Sequence, residues 1–135
     1  MALLLAGVSF NAHEIDRYKY PERFASGYGG SAETARQSCR EQAVEVFLEP
    51  LEQRLRVATY LGGSTACAVD IGIFPFVRQF AAVDPSWFAS QPLSAVQTWL
   101  NEWLGSALFQ HCMPKIPSDM PQPFPTLQDA NQGFK

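Results

Sequence analysis

The chain has few of the residues that build compact reactive centres. Its 135 residues include two histidines and three cysteines. His13 and His111 stand far apart, Cys39, Cys67 and Cys112 are widely spaced, and no CxxC pair occurs. A structural zinc site gathers about four such ligands, so no metal site is expected. An odd number of scattered cysteines fits small buried thiols in a reduced, cytoplasmic protein better than a disulfide framework. Charge is also scarce, at 17% of residues with a net charge of −3 at pH 7. The most basic stretch, Arg17 to Arg23, also holds Glu22, aromatics and a proline. It is a solvated segment rather than a face for nucleic acid. The apolar run at the N-terminus is far too short for the roughly 20 residues of a membrane-spanning helix, and neither nucleic acid nor membrane is an expected partner. There is no glycine-rich phosphate loop, no GxSxG, and no period-two alternation between hairpin turns.

The opening MALLLAGVSF is apolar, but it has no basic n-region and no A-x-A cleavage site follows it. It reads as part of a helix, and an opening on buried-type residues leads us to expect that another segment once preceded it.

What remains is helical pattern. At 47% hydrophobic residues the chain is globular and long enough for a real core. Residues 2–20 read as helix, broken near Gly7 to Asn11, and Tyr20-Pro21 ends it because a residue before proline disfavours the α region. Ser26 to Gly30 reads as a flexible loop. Ser31 is a good N-cap, with Glu33 in the first turn that follows. Ala35, Cys39, Ala43, Val46, Phe47, Leu51 and Leu55 then recur at helical spacing, which predicts one amphipathic helix over 31–59, kinked at Pro50. Leu61-Gly62-Gly63-Ser64 stops it. Asp84-Pro85 reads as an N-cap followed by proline, giving a short turn over 84–88. Ser90 is expected to open a helix striped by Leu93, Val96, Leu100, Trp103 and Leu104 and widened by Trp99, and a last short helix covers 106–113. Beyond Pro114, Pro117, Pro121, Pro123 and Pro125 predict an extended or disordered tail. The fold class is all-α, a helical bundle.

The most telling stretch is Ala66 to Asp84, ACAVDIGIFPFVRQFAAVD. It predicts a helix over 67–82, apolar all round and therefore central. Asp70 near its start is costly to bury without hydrogen bonds. The nearest partner is the backbone at the helix's own N-terminus, as in a capping box. Asp70 is thus read as a structural cap rather than a catalytic acid. Cys39 and Cys67 are read as core thiols, and Trp99 and Trp103 as core or interface. Cys112 is no reactive pair with His111, since neighbours in a helix point apart.

Asp16 to Pro21, DRYKYP, and Ala68 to Phe80, AVDIGIFPFVRQF, resemble segments of a bacterial group of glutathione S-transferase-like proteins. Trp99-Leu100 and Ser106 to Phe109 resemble that group's final helices. The similarity runs over about residues 10–115 and covers the family's C-terminal helical domain only. It implies a helical domain over 1–115, a proline-rich tail over 116–135, and no thioredoxin-like domain. That N-terminal domain binds glutathione and activates its thiol in the family, while the C-terminal helices build the electrophile pocket and part of a dimer interface. The resemblance therefore implies no catalytic residue here, no cofactor, and glutathione as co-substrate only where a thioredoxin-like domain is supplied. The implied partner is such a domain or a second copy of the chain. Tyr18, Tyr20 and Arg17 are pocket candidates, against a plainer reading as packing and salt-bridged residues. Arg78 stands with Arg17 as a candidate contact for an anionic ligand. Cys67 departs from the family, which has serine or threonine as N-cap three residues before the aspartate; a thiol is a weak acceptor. The alternative function is a non-enzymatic helical interaction module, using the surface that the absent domain would cover.

Overall fold

The computed structural model describes residues 14–28 and 30–112. The expectations for the residues before 14 and for the tail lie outside the described residues. The chain divides into two units, Met1–Gly105 and Ser106–Lys135. Every regular element among the described residues is helical, apart from an isolated bridge between Tyr60 and Gly63.

In the first unit, helix α1 covers 14–19. It stops before Tyr20 (φ −126°, ψ 59°), as Pro21 requires, and Pro21–Arg23 continues as a 3-10 turn. A second 3-10 turn, Ala25–Tyr28, occupies what the sequence suggests is a loop. Gly30 then takes φ 82°, a left-handed conformation that favours glycine. The Ser31 side chain accepts a hydrogen bond from the N–H of Thr34 and opens α2, Ala32–Ala43.

Helix α2 runs through a π-turn, Val44–Leu48, into α3, Glu49–Val57. The Glu49 N–H reaches back to the carbonyl of Val44, five residues earlier. Pro50 has no N–H to return to Val46, and its ring crowds that carbonyl. The irregularity expected at Pro50 thus takes the form of a widened turn just before it.

The connection to the next helix is tied at both ends of one residue. Leu61 is buried; its carbonyl accepts from Arg54 Nη2 (3.3 Å) and its N–H donates to Asp70 Oδ1 (2.9 Å). Helix α4, Ala68–Val83, is the central element. Ile73, Phe74, Val77, Phe80 and Ala81 are buried along it. It is not enclosed on every side, since Ile71 is 51% exposed. Two aromatic groups meet α4. Phe80 stacks on Tyr18 (4.7 Å between centroids) and lies edge-on to Trp87, while Phe74 packs against Trp99 and Trp103.

Helix α5, Pro85–Ser90, begins with the Asp84 carboxylate accepting from the Trp87 N–H (3.0 Å). Helix α6, Ser94–Leu104, starts later than Ser90. Pro92 explains the correction: it keeps Gln91 extended (φ −77°, ψ 150°) and breaks the run. Val96, Trp99, Leu100 and Trp103 are its buried stripe. In the second unit, the Ser106 side chain accepts from the Phe109 N–H (3.2 Å) as α7, Ala107–Cys112, begins.

Candidate functional site

Asp70 is the most deeply buried polar residue among the described residues of the first unit. It is completely enclosed, and its carboxylate collects three N–H donors from three parts of the chain. Oδ2 accepts from the Cys67 N–H (2.9 Å), which is the side-chain half of a capping box. Oδ1 accepts from the Leu61 N–H (2.9 Å) and from Trp99 Nε1 (2.8 Å). One carboxylate therefore joins the helix start, the preceding loop and α6. Burial alone would raise its pKa, but the hydrogen bonds from Leu61, Cys67 and Trp99 outweigh it and hold the group below the usual aspartate value. Cys67 occupies the N-cap position with extended backbone (φ −135°, ψ 177°), its thiol set against the Asp70 N–H without a full cap hydrogen bond. A saturated, ionised carboxylate of this kind is an anchor, with no access to a substrate proton.

A second buried group joins α1, α2 and the start of α5. Arg40 is only 8% exposed. Its Nε donates to Tyr18 Oη (3.1 Å), Nη2 pairs with Asp84 Oδ2, and the guanidinium lies 4.8 Å from the Trp87 ring centre. Tyr18 is fully buried, and that burial, ahead of the opposing pull of Arg40, keeps its hydroxyl pKa raised. The phenol is therefore neutral at ordinary pH and faces the interior rather than a pocket.

A third buried charged group, the acid Glu52, closes α3 onto α6. Glu52 is 4% exposed. Oε2 accepts from the Val96 N–H (2.9 Å), while Oε1 accepts from the Ala95 N–H (3.2 Å) and from Arg56 Nε (2.9 Å). The N-cap position of α6 is Leu93, which carries no capping oxygen, so the cap comes from across the interface. Burial pushes the Glu52 pKa up, but the Val96, Arg56 and Ala95 bonds bring it below the ordinary glutamate value.

The three pocket candidates do not converge. Tyr18 is interior, as above. Arg17 donates to Glu14 (3.1 Å) and lies 5.6 Å from the Phe24 ring centre. Tyr20 alone borders open space, a cleft of about 390 Å³ that it shares with Lys19, Arg78, Gln79, Ala82 and Val83. Cys39 is buried with its sulfur 4.0 Å from Glu14, Cys67 is half-buried, and Cys112 is exposed; none of the three is in a disulfide. Among the described residues no His, Cys, Asp or Glu cluster can hold a metal ion, and no helix is long and apolar enough to cross a membrane.

The interhelical roles of Glu52 and Arg40 were not legible beforehand. Glu52 stands beside Leu51 in the sequence with no local sign of a distant partner, and the sequence pattern opens the next helix at Ser90. The weak signal was a carboxylate at the edge of an apolar stripe. No known family model matches this chain, and neither a curated protein nor a solved structure matches it.

Proposed function

We propose that these helices form the electrophile-side and dimerisation domain of a glutathione S-transferase-like protein, with glutathione held and ionised by a separate thioredoxin-like domain. The observation that carries this reading is Asp70. A carboxylate at the third position of the central helix binds the N-cap N–H and is fully buried, within the same segment, Ala68 to Phe80, that resembles the family. The reduced, cytoplasmic setting of this reading rests on the odd number and wide spacing of the cysteines.

The test is the ultraviolet absorbance of glutathione thiolate near neutral pH, with and without the purified chain, alongside its mass in solution. The expected result is an unchanged thiol pKa together with a dimer mass. A lowered thiol pKa would overturn the division of labour, because the chain would then hold an activating site of its own. A concentration-dependent series of larger oligomers with no effect on the thiol would favour the interaction-module alternative.

A further inference from the structure

Arg56 and Glu102 carry opposite charges and line one cleft, yet they form no ion pair with each other. The cleft, about 390 Å³, lies between the end of α3 and α6. Ser94, Thr98 and Glu102 follow one another at four-residue spacing and so share a face of α6. Arg56 in the last turn of α3 and Thr59 just beyond it form the other side. Leu55 and Trp99, both buried, close the cleft beneath. Arg56 Nε donates to Glu52 Oε1 (2.9 Å), which anchors the guanidinium without using it up. A guanidinium has five donor hydrogens, and those on the two Nη atoms of Arg56 have no acceptor among the described residues. Glu52 is not a free counter-charge behind it, because its carboxylate also accepts from the Ala95 and Val96 N–H groups at the positive end of α6. Glu102 is exposed and makes no hydrogen bond or ion pair with any described residue.

Two opposite charges in one cleft that do not meet suit a ligand that is itself dipolar. A simple anion gains from Arg56 and is repelled by Glu102, and a simple cation the reverse. The rim is polar as well. The Thr98 hydroxyl donates to the Ser94 carbonyl (2.9 Å), which leaves it as an acceptor, while the Thr59 and Ser94 hydroxyls can donate and accept. A volume of about 390 Å³ falls at the small end of the range for small-molecule sites, about 300–1,000 Å³. We propose that this cleft binds a free α-amino acid with a polar side chain, its carboxylate on the Arg56 Nη atoms, its ammonium on Glu102 and its side chain among the hydroxyls. Charge-assisted hydrogen bonds hold both ends. The inference stands on this cleft alone and does not require the family reading. Its test does not involve a thiol, so the two can fail separately.

The probe is L-glutamine, titrated into isotopically labelled full-length chain and followed by amide chemical shifts. L-Glutaminamide, which lacks the carboxylate, and N-acetyl-L-glutamine, which lacks the ammonium, serve as controls. Saturable L-glutamine binding is expected at about 1–10 mM, because the charges of an open cleft are well hydrated. The shifts should centre on Thr59, Ala95, Thr98 and Glu102, with both controls roughly fivefold weaker. Glu102→Gln removes a carboxylate that holds no other described residue, so the melting curve should not move. It should weaken L-glutamine about fivefold and leave N-acetyl-L-glutamine unchanged. Arg56→Gln should weaken L-glutamine by a similar factor and spare L-glutaminamide. If Arg56→Gln disturbs the melting curve through its bond to Glu52, Glu102→Gln alone decides. Equal binding of L-glutamine and either control would overturn the proposal. So would unchanged affinity in Glu102→Gln, shifts centred away from the cleft, or no saturable binding up to about 50 mM.

Discussion

Replacing Asp70 should produce the largest stability loss of any single polar substitution in the first unit. Its carboxylate accepts from Leu61 N, Cys67 N and Trp99 Nε1, and it is fully enclosed. Asp70→Ala leaves those donors buried without acceptors, and an unsatisfied buried polar group costs about 1–3 kcal/mol. The sum is reduced because the folded state no longer desolvates a charge. The expected net loss is about 3–5 kcal/mol, a large share of the ~5–15 kcal/mol that holds a typical domain together. Asp70→Asn keeps the shape and one oxygen, which can still face Leu61 and Trp99. Its amide then meets the Cys67 N–H donor to donor, so the expected loss is smaller, about 1–3 kcal/mol. Trp99→Phe removes one donor while keeping an aromatic ring against Phe74. Combined with Asp70→Asn it should be clearly non-additive, as expected for residues joined by one bond. Urea denaturation followed by tryptophan fluorescence reads all four proteins. Acid titration gives an independent check with a definite sign. The Asp70 pKa is lowered in the folded state despite burial. Its contribution is therefore fully present above the unfolded value of about 3.9 and is lost as pH falls through the folded value. Asp70→Asn should lack that part of the acid loss. Losses under about 1 kcal/mol for both Asp70 variants, or additive behaviour with Trp99→Phe, would refute the three-way anchor.

Glu52→Ala should cost about 1–3 kcal/mol by leaving the Ala95 and Val96 N–H groups without their acceptor. Hydrogen exchange should quicken first at the start of α6, and protection unchanged there would count against a cross-helix cap. Arg40→Met should cost a similar ~1–3 kcal/mol, since it strips the partner from Asp84 and the donor from the Tyr18 hydroxyl. Adding Asp84→Asn to it should cost less than the two singles together; full additivity in urea melts would show that the pair is not coupled.

What the sequence revealed and what it hid divide along one physical line. Features set by neighbours within a few residues were legible. The Ser31 cap, the Asp84-Pro85 start of α5 and the apolar stripe over α2 and α3 each depend on local spacing, and each lies where that spacing puts it, except that Val46 of the stripe falls in the π-turn and is 48% exposed. Features that need a partner across the fold were not. Arg40 and Asp84 are 44 residues apart and so are Glu52 and Val96, so no window of local pattern contains both members of either pair. The late start of α6 was a local error of another kind, because Pro92 outweighed the attraction of Ser90 as a cap. Tyr18 and Tyr20 look alike in sequence, yet one turns to the core and the other, just past the end of the helix before Pro21, to the surface.

Cys67 joins the local and the distant, and it gives the sharpest remaining test. A serine in its place presents an oxygen to the Asp70 N–H, and that cap is normally worth about 0.5–2 kcal/mol over a non-capping residue. The extended backbone at Cys67 already suits an N-cap. The opposing effect is packing, because Gly62 lies so close that a Cβ there would come within 2.9 Å of both Cys67 Cβ and Sγ. Serine is slightly smaller than cysteine, so it fits beneath Gly62 and gives up only part of the sulfur contact. The net expectation for Cys67→Ser is a gain of about 0.5–1 kcal/mol in urea denaturation. Gly62→Ala pushes the same contact the other way and should lose about 1–3 kcal/mol, since the Thr65 carbonyl also stands 3.1 Å from the added carbon. The double variant should recover part of that loss, because a smaller side chain at position 67 relieves the overlap. If Cys67→Ser is neutral and gives no relief to Gly62→Ala, then the thiol is neither a poor cap nor the surface on which Gly62 rests.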